Sequence, residues 1–211
     1  MALQYTVVVL AAGKGSRFLS AGHKLAQPLG DASVLAATLA NAIASHLHVI
    51  VVTTERFAAV ARSSVAARDV VVLADVGSAG AGPLGMGVSI AAGIQARPEA
   101  AGWLVLPGDM PLVRPATLQA VARALDEHPV VFAQHHGRRG HPVGFAAELY
   151  SELAALGGDE GARRVIARYP AHGVERDDPG ILVDIDTAAD LDQVRRAVAT
   201  APSDEAGALR R

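Results

Sequence analysis

An α/β architecture built on a mostly parallel sheet is what this chain predicts, and two observations predict it. Apolar, β-branched runs alternate along the chain with helical patterns. The runs are also continuous rather than alternating, as in strands covered on both faces. Strands are expected at Thr6–Leu10, Val49–Thr53, Val70–Leu73, Trp103–Leu106, Val130–Ala133 and Ile181–Val183. Helices are expected at Ser33–Ser45, Phe57–Ala66, Gly87–Ala96, Pro115–Glu127, Ala146–Leu153, Gly161–Tyr169 and Ala188–Ala199. Pro115 suits a first helical position. Thr187 can cap the last helix, with Asp190 near its free N–H groups.

At 211 residues the chain suffices for one sizeable domain, placed at 1–200. Residues 201–211 are small and polar and read as a frayed tail. The net charge of −2 and the few aromatics argue against nucleic-acid partners. Absence of cysteine excludes disulfides, thiolate zinc sites and a cysteine nucleophile, and fits a reducing cytoplasm. The first apolar run lacks a basic flank and is too short for a signal peptide or a membrane span.

In a doubly covered parallel sheet, ligands sit beyond the carboxyl ends of the strands. Several segments there carry chemistry. Leu10-Ala11-Ala12-Gly13-Lys14-Gly15-Ser16-Arg17 follows the first strand, and Lys24 lies seven residues on. Small side chains let the backbone approach a ligand, several N–H groups can face one anion, and Arg17 and Lys24 would neutralise it. This is how a triphosphate is gripped, although an ordinary strand-to-helix turn has similar composition. Neither GxGxxG nor GxxxxGK[ST] occurs, which removes a dinucleotide fingerprint and a P-loop.

Leu106-Pro107-Gly108-Asp109-Met110-Pro111 holds a carboxylate between prolines at a strand end. Such an oxygen ligand suits Mg²⁺, which takes one or two from protein and others from phosphate. A turn residue or helix cap is the plain alternative for Asp109. In Val183-Asp184-Ile185-Asp186-Thr187, strand alternation puts Asp184 and Asp186 on one side as a second metal arm. The competing role for Asp186 is help in capping the final helix.

Gly82-Pro83-Leu84-Gly85-Met86-Gly87-Val88-Ser89 opens a helix whose N–H groups could hold a base, ribose or phosphate, with Asp75 as an acceptor nearby. A flexible loop with a cap is the alternative. Finally, Arg138, Arg139 and His141 sit in a glycine-rich loop, and Gly157-Gly158-Asp159-Glu160-Gly161-Ala162-Arg163 follows. Arginines in such loops suit phosphate rather than a metal held by the histidines. A solvated loop would look the same.

Taken in order, LAAGKGSR with Lys24, GPLGMGVS, PGDMP, RGHP, GGDEGAR and DIDTAADL resemble the nucleotidyltransferases of molybdenum-cofactor maturation, the MobA/MocA-like group, over Thr6 to Ala199. The resemblance implies a three-layer Rossmann-like sandwich of the nucleotide-diphospho-sugar transferase type. It implies nucleotide binding by Leu10, Ala11, Ala12, Gly13, Lys14, Gly15, Lys24, Asp75, Gly85 and Ser89. It also implies catalysis by Arg17, Lys24 and Asp109, and Mg²⁺ on Asp109 with Asp184 and Asp186. Arg138, His141, Pro142, Asp159 and Arg163 would face the acceptor.

LAAG, RGHP and GGDEGAR look like the cytidylyl branch, which implies CTP as donor and molybdopterin as acceptor. Gly82-Pro83-Leu84 looks like the guanylyl branch, and Arg17-Phe18-Leu19 stands where RMG is usual. An apo molybdenum hydroxylase is the protein partner implied; neither nucleic acid nor a membrane is. A guanylyltransferase on the same acceptor, a cytidylyl- or uridylyltransferase acting on a sugar or polyol phosphate, and a non-catalytic cofactor-delivery chaperone remain as alternatives.

Overall fold

Val7, Val8 and Val9 are fully buried in succession, so the first strand is covered on both faces. The computed structural model describes residues 4–13, 15, 18, 22–74 and 85–200. In it β1 (Tyr5–Ala11) leads through a short 3₁₀ turn to a small hairpin of β2 (Pro28–Leu29) and β3 (Ala32–Ser33). Ser33 then caps α1 (Val34–Ala44), its hydroxyl accepting the Ala36 N–H. Next come β4 (His48–Thr54), α2 (Glu55–Ser64), β5 (Val70–Leu73), α3 (Met86–Gln95), β6 (Gly102–Pro107) and α4 (Pro115–Ala124). The chain closes with β7 (Val130–His135), β8 (Arg138–Ala146), α5 (Tyr150–Ala154), α6 (Arg163–Arg168), β9 (Ala171–Glu175) and α7 (Ala188–Thr200).

The sheet has seven strands in the order β5-β4-β1-β6-β8-β7-β9. All neighbours pair in parallel except β8, which runs antiparallel to both β6 and β7. Side chains alternate across it. Val7 and Val9 of β1 and Leu104 and Leu106 of β6 join α1, α2, α4 and α7 on one face. Val8, Trp103 and Val105 join α3, α5 and α6 on the other. The expected three-layer, mostly parallel α/β sandwich is what the chain forms.

Two expected elements need correction, and two strands of the sheet were not expected. Ile181–Val183 is no strand: Pro179–Leu182 forms a 3₁₀ turn. Proline and glycine start that turn, and the buried Asp178 carboxylate accepts the Gly180 N–H and the Arg114 N–H. Ile181 is apolar because it is fully buried under the turn, not because it pairs. The sheet is instead completed by β8 and β9, whose charged, glycine- and proline-bearing sequences hide their strand character. The helix expected at Ala146–Leu153 starts later, because Ala146 still belongs to β8 and Ala147–Leu149 is a 3₁₀ turn.

Among the described residues no helix is long and apolar enough to cross a membrane.

Candidate active site

A cavity of about 760 Å³ opens beyond the carboxyl ends of β1 and β6. The sheet's register explains why two loops meet there. β1 and β6 are neighbours, with Leu10 opposite Pro107, so the chain leaves both strands at one level. The Gly108 N–H continues the ladder by donating to the Leu10 carbonyl at 2.8 Å. A Cβ on Gly108 would stand 2.9 Å from that oxygen, so the close approach requires glycine.

Asp109 follows directly. Its carboxylate is mostly enclosed, and its Oδ2 meets the Lys24 ammonium at 2.5 Å. The same ammonium donates to Asp186 Oδ1 at 2.7 Å. Burial works against the charge on Lys24, but Asp109 and Asp186 outweigh it and raise its pKa above the ordinary 10.5. Asp109 Oδ1 is buried and has no hydrogen-bond partner among the described residues. A buried anionic oxygen without a donor is costly and calls for a water, a further donor or a cation.

The segment carrying Asp184 and Asp186 is extended but lies outside the sheet. The Ile185 N–H donates to the Asp109 carbonyl at 3.2 Å, and the Ile185 side chain is fully buried. That anchor turns the flanking carboxylates of Asp184 and Asp186 to the cavity. The strand expectation was wrong, yet its two-residue alternation is preserved. Capping of α7 falls to Thr187 and Asp190 instead. The Asp190 N–H donates to Thr187 Oγ1, while Asp190 Oδ2 accepts the Thr187 and Asp186 N–H groups.

On the first loop, Leu10, Ala12, Gly13 and Gly15 line the cavity, whereas Ala11 is buried beneath it. Lys14, Arg17 and Asp75 lie outside the described residues, as does Gly82-Pro83-Leu84. Gly85 and Ser89 line the cavity at the start of α3. The expected open N-terminus of α3 is partly filled, since the Gly87 N–H donates to the Gly158 carbonyl at 2.9 Å. Glycine at 85 and 87 is what lets the 157–158 backbone approach; a Cβ on Gly85 would sit 2.0 Å from the Gly158 oxygen.

The far wall brings together Arg138, His141, Asp159 and Arg163, while Pro142 is not part of the lining. Burial holds the His141 pKa below 6.5, against the pull of the Asp109 and Asp184 carboxylates, so the ring is neutral at pH 7. Arg139, which composition did not separate from Arg138, also faces the cavity and lies 4.3 Å over the Phe132 ring.

His23 escaped the sequence reading altogether. Its Nε2 lies 3.0 Å from the Gly13 carbonyl, and its Nδ1 accepts the Leu25 N–H. Those partners require the neutral ring protonated at Nε2. Burial lowers its pKa, reinforced by Arg56 and Lys24 and opposed by the Gly13 contact and Asp109. The ring thus ties the first loop to the Lys24 turn. No local pattern marks this role, because it depends on where the chain returns after residues 16–21.

A model described as the MobA-like NTP transferase domain matches residues 7–174. This chain belongs to that family. PucB, the purine catabolism protein of Bacillus subtilis, is 30% identical over 212 residues, covering 90% of this chain and 96% of that protein. The structure of Rv0371c from Mycobacterium tuberculosis H37Rv is 30% identical with a TM-score of 0.73, over 93% of this chain and 99% of that one. A manganese complex of the same mycobacterial protein, 29% identical, superposes with a TM-score of 0.69 over 92% of this chain and 99% of that one. Molybdopterin-guanine dinucleotide biosynthesis protein A from Archaeoglobus fulgidus shares the fold, at 18% identity, a TM-score of 0.68 and 93% and 100% coverage. The MobA-like chain is thus a nucleotidyltransferase by family.

The cavity suits that chemistry. Among the described residues no three acidic or histidine side chains close into a ready-made metal cage. An ion held here must take further ligands from elsewhere, as Mg²⁺ does from phosphates and water. The orphaned Asp109 Oδ1 and the all-oxygen donor set fit such a hard cation.

Proposed function

We propose that this MobA-like transferase joins CMP from CTP to the terminal phosphate of molybdopterin, releasing pyrophosphate with Mg²⁺ bound. The observation that carries the reading is the grouping of Lys24, Asp109 and Asp186 at the mouth of β1 and β6, with Asp109 Oδ1 lacking a partner among the described residues. A cation beside paired carboxylates is what a triphosphate–metal complex needs on arrival.

In this reading an oxygen of the acceptor phosphate forms a bond to the α-phosphorus. The bond from that phosphorus to the oxygen bridging to the β-phosphate breaks, and pyrophosphate carries the electron pair away. The nucleophile is already ionised at neutral pH, so no general base is needed, and the neutral His141 is not asked to act as one. Asp109 and Asp184 would hold the Mg²⁺, which neutralises triphosphate charge when bound. Lys24 stabilises the charge on the leaving phosphates, a role shared by Arg17. Backbone N–H groups of the 11–15 loop cradle the triphosphate, assisted by Lys14. Gly85 and Ser89 face the nucleoside, and Asp75 is assigned a ribose hydroxyl or a base amine as its donor. Arg138, His141, Asp159 and Arg163 orient the acceptor. Alignment and charge stabilisation supply the acceleration.

CTP is favoured by LAAG, RGHP and GGDEGAR; GTP is the second reading, because Gly82-Pro83-Leu84 has the guanylyl form. A molybdenum hydroxylase would take the product in the cytoplasm. Pyrophosphate release measured with molybdopterin, Mg²⁺ and each of CTP, GTP, ATP and UTP tests the proposal. CTP is expected to turn over best. A GTP preference moves the donor alone, and failure with every nucleotide ends the reading.

A further inference from the structure

The backbone around Asp109 is held by a helix that never reaches the cavity. Thr38 and Asn41 lie on one face of α1, three residues apart, and are 1% and 9% exposed. The rest of that face is apolar, with Val34, Leu35 and Ala42 buried around them. Thr38 Oγ1 lies 3.0 Å from the Gly108 carbonyl and 3.0 Å from its own helix at Val34. Asn41 Nδ2 donates to the Pro111 carbonyl at 2.8 Å. The two side chains therefore grip the loop on either side of Asp109. A buried polar group on an apolar helix face is costly unless paired, and both pair with this one loop.

The loop's other bonds complete the hold. Gly108 N–H donates to Leu10, and the Asp109 carbonyl accepts from Ile185. With Thr38 and Asn41 in place, the position and heading of the Asp109 Cα are set from four directions. The carboxylate then presents Oδ2 to Lys24 and keeps Oδ1 open.

We infer that Thr38 and Asn41 are positioning residues that aim Asp109 at the metal of the bound nucleotide. The inference rests on the nucleotidyltransferase reading above. A role confined to fastening α1 onto the sheet predicts lost stability alone, so the test separates aim from stability.

Thr38→Val keeps the volume and removes the hydroxyl; Thr38→Ser keeps the hydroxyl; Asn41→Leu removes the second donor independently. Free Mn²⁺ is followed by electron paramagnetic resonance as it titrates each folded protein with CTP held below the protein concentration, and the Mn²⁺ taken up by the same CTP without protein is subtracted. CTP binding in EDTA is measured by calorimetry, and melting is recorded in parallel. Thr38→Val and Asn41→Leu are expected to weaken Mn²⁺ binding about tenfold or more, with CTP affinity in EDTA within twofold of the parent. Thr38→Ser is expected to restore Mn²⁺ binding to within about threefold. Parental Mn²⁺ affinity in both Thr38→Val and Asn41→Leu, with only the melting temperature lowered, overturns the positioning role. If one variant does not fold, the other decides. Lack of Mn²⁺ binding by the parent with CTP beyond that of CTP alone overturns the functional reading itself and the positioning role with it.

Discussion

The Lys24 ammonium stands against two carboxylates where a divalent cation is needed, so its replacement has two separable effects. Lys24→Met should lower turnover by about a hundred- to a thousandfold, the usual cost of one preorganised electrostatic contact. It also removes the ammonium that Asp109 and Asp186 share. Mg²⁺ should therefore raise the melting temperature of Lys24→Met more than that of the parent. Equal shifts in a thermal melt with and without Mg²⁺ would count against the pairing. Asp109→Asn should match the rate loss, since it keeps the shape of Asp109 and removes its charge. Asp109 was legible in the sequence as a rigid carboxylate between prolines. Its ion pair with Lys24 was not, because it joins positions 85 residues apart whose meeting depends on strand order. His23 shows the same limit more sharply: its partners are the adjacent turn and a loop that must first fold back.

For the segments, legibility followed burial. Strands covered on both faces, such as β1, β4 and β6, stood out as apolar runs and appear within a residue or so of the expected ends. β8 and β9 did not, because their sequences carry arginine, histidine and glycine in place of a continuous apolar run. α7 was legible through its cap, and Thr187→Ala should cost about 1 kcal/mol in chemical denaturation. The α3 terminus, expected to offer its N–H groups to a base, ribose or phosphate, lines the cavity with the Gly87 N–H already engaged by the Gly158 carbonyl. Its contact with the 157–158 backbone gives a direct test. Gly87→Ala places a Cβ 2.5 Å from the Gly157 carbonyl and strains the bond to Gly158. Overpacking of this kind costs about 1–3 kcal/mol. Urea denaturation should show that loss, and the Michaelis constant for the acceptor should rise because Asp159 and Arg163 follow the displaced backbone.

Across the fold as a unit, buried titratable groups bracket the pH range of greatest stability. His23 and His141 have folded pKa values below the ordinary 6.5, both chiefly through burial. The unfolded chain therefore binds more protons just below that value, and stability rises with pH there. Their contribution is full above about pH 6.5 and is lost as pH falls from there toward the folded values. Lys24 acts in the opposite sense. Although burial opposes its charge, its carboxylate partners raise the folded pKa above 10.5, so its contribution is full below 10.5 and fades as pH climbs through the folded value. Burial and Asp126 push Tyr5 up to about 12 from 10.0, so the neutral phenol adds stability that is lost over that interval. Denaturation midpoints should thus form a plateau between about pH 6.5 and 10 and decline on either side. A midpoint that keeps rising as pH drops from 7 to 5 would contradict the assignment of neutral histidines.

Local composition was enough to settle the layered α/β class, the doubly buried strands and the loops that bear the cation and the carboxylates. Apolar runs and turn residues act within a few positions of themselves, so one sequence displays them. Strand order, the reversal of β8, the Lys24–Asp109 pair and the grip of α1 on the Gly108–Pro111 loop came only with the folded chain. Each is a contact between segments far apart along the backbone, and its geometry is set by the packing of the two layers against the sheet.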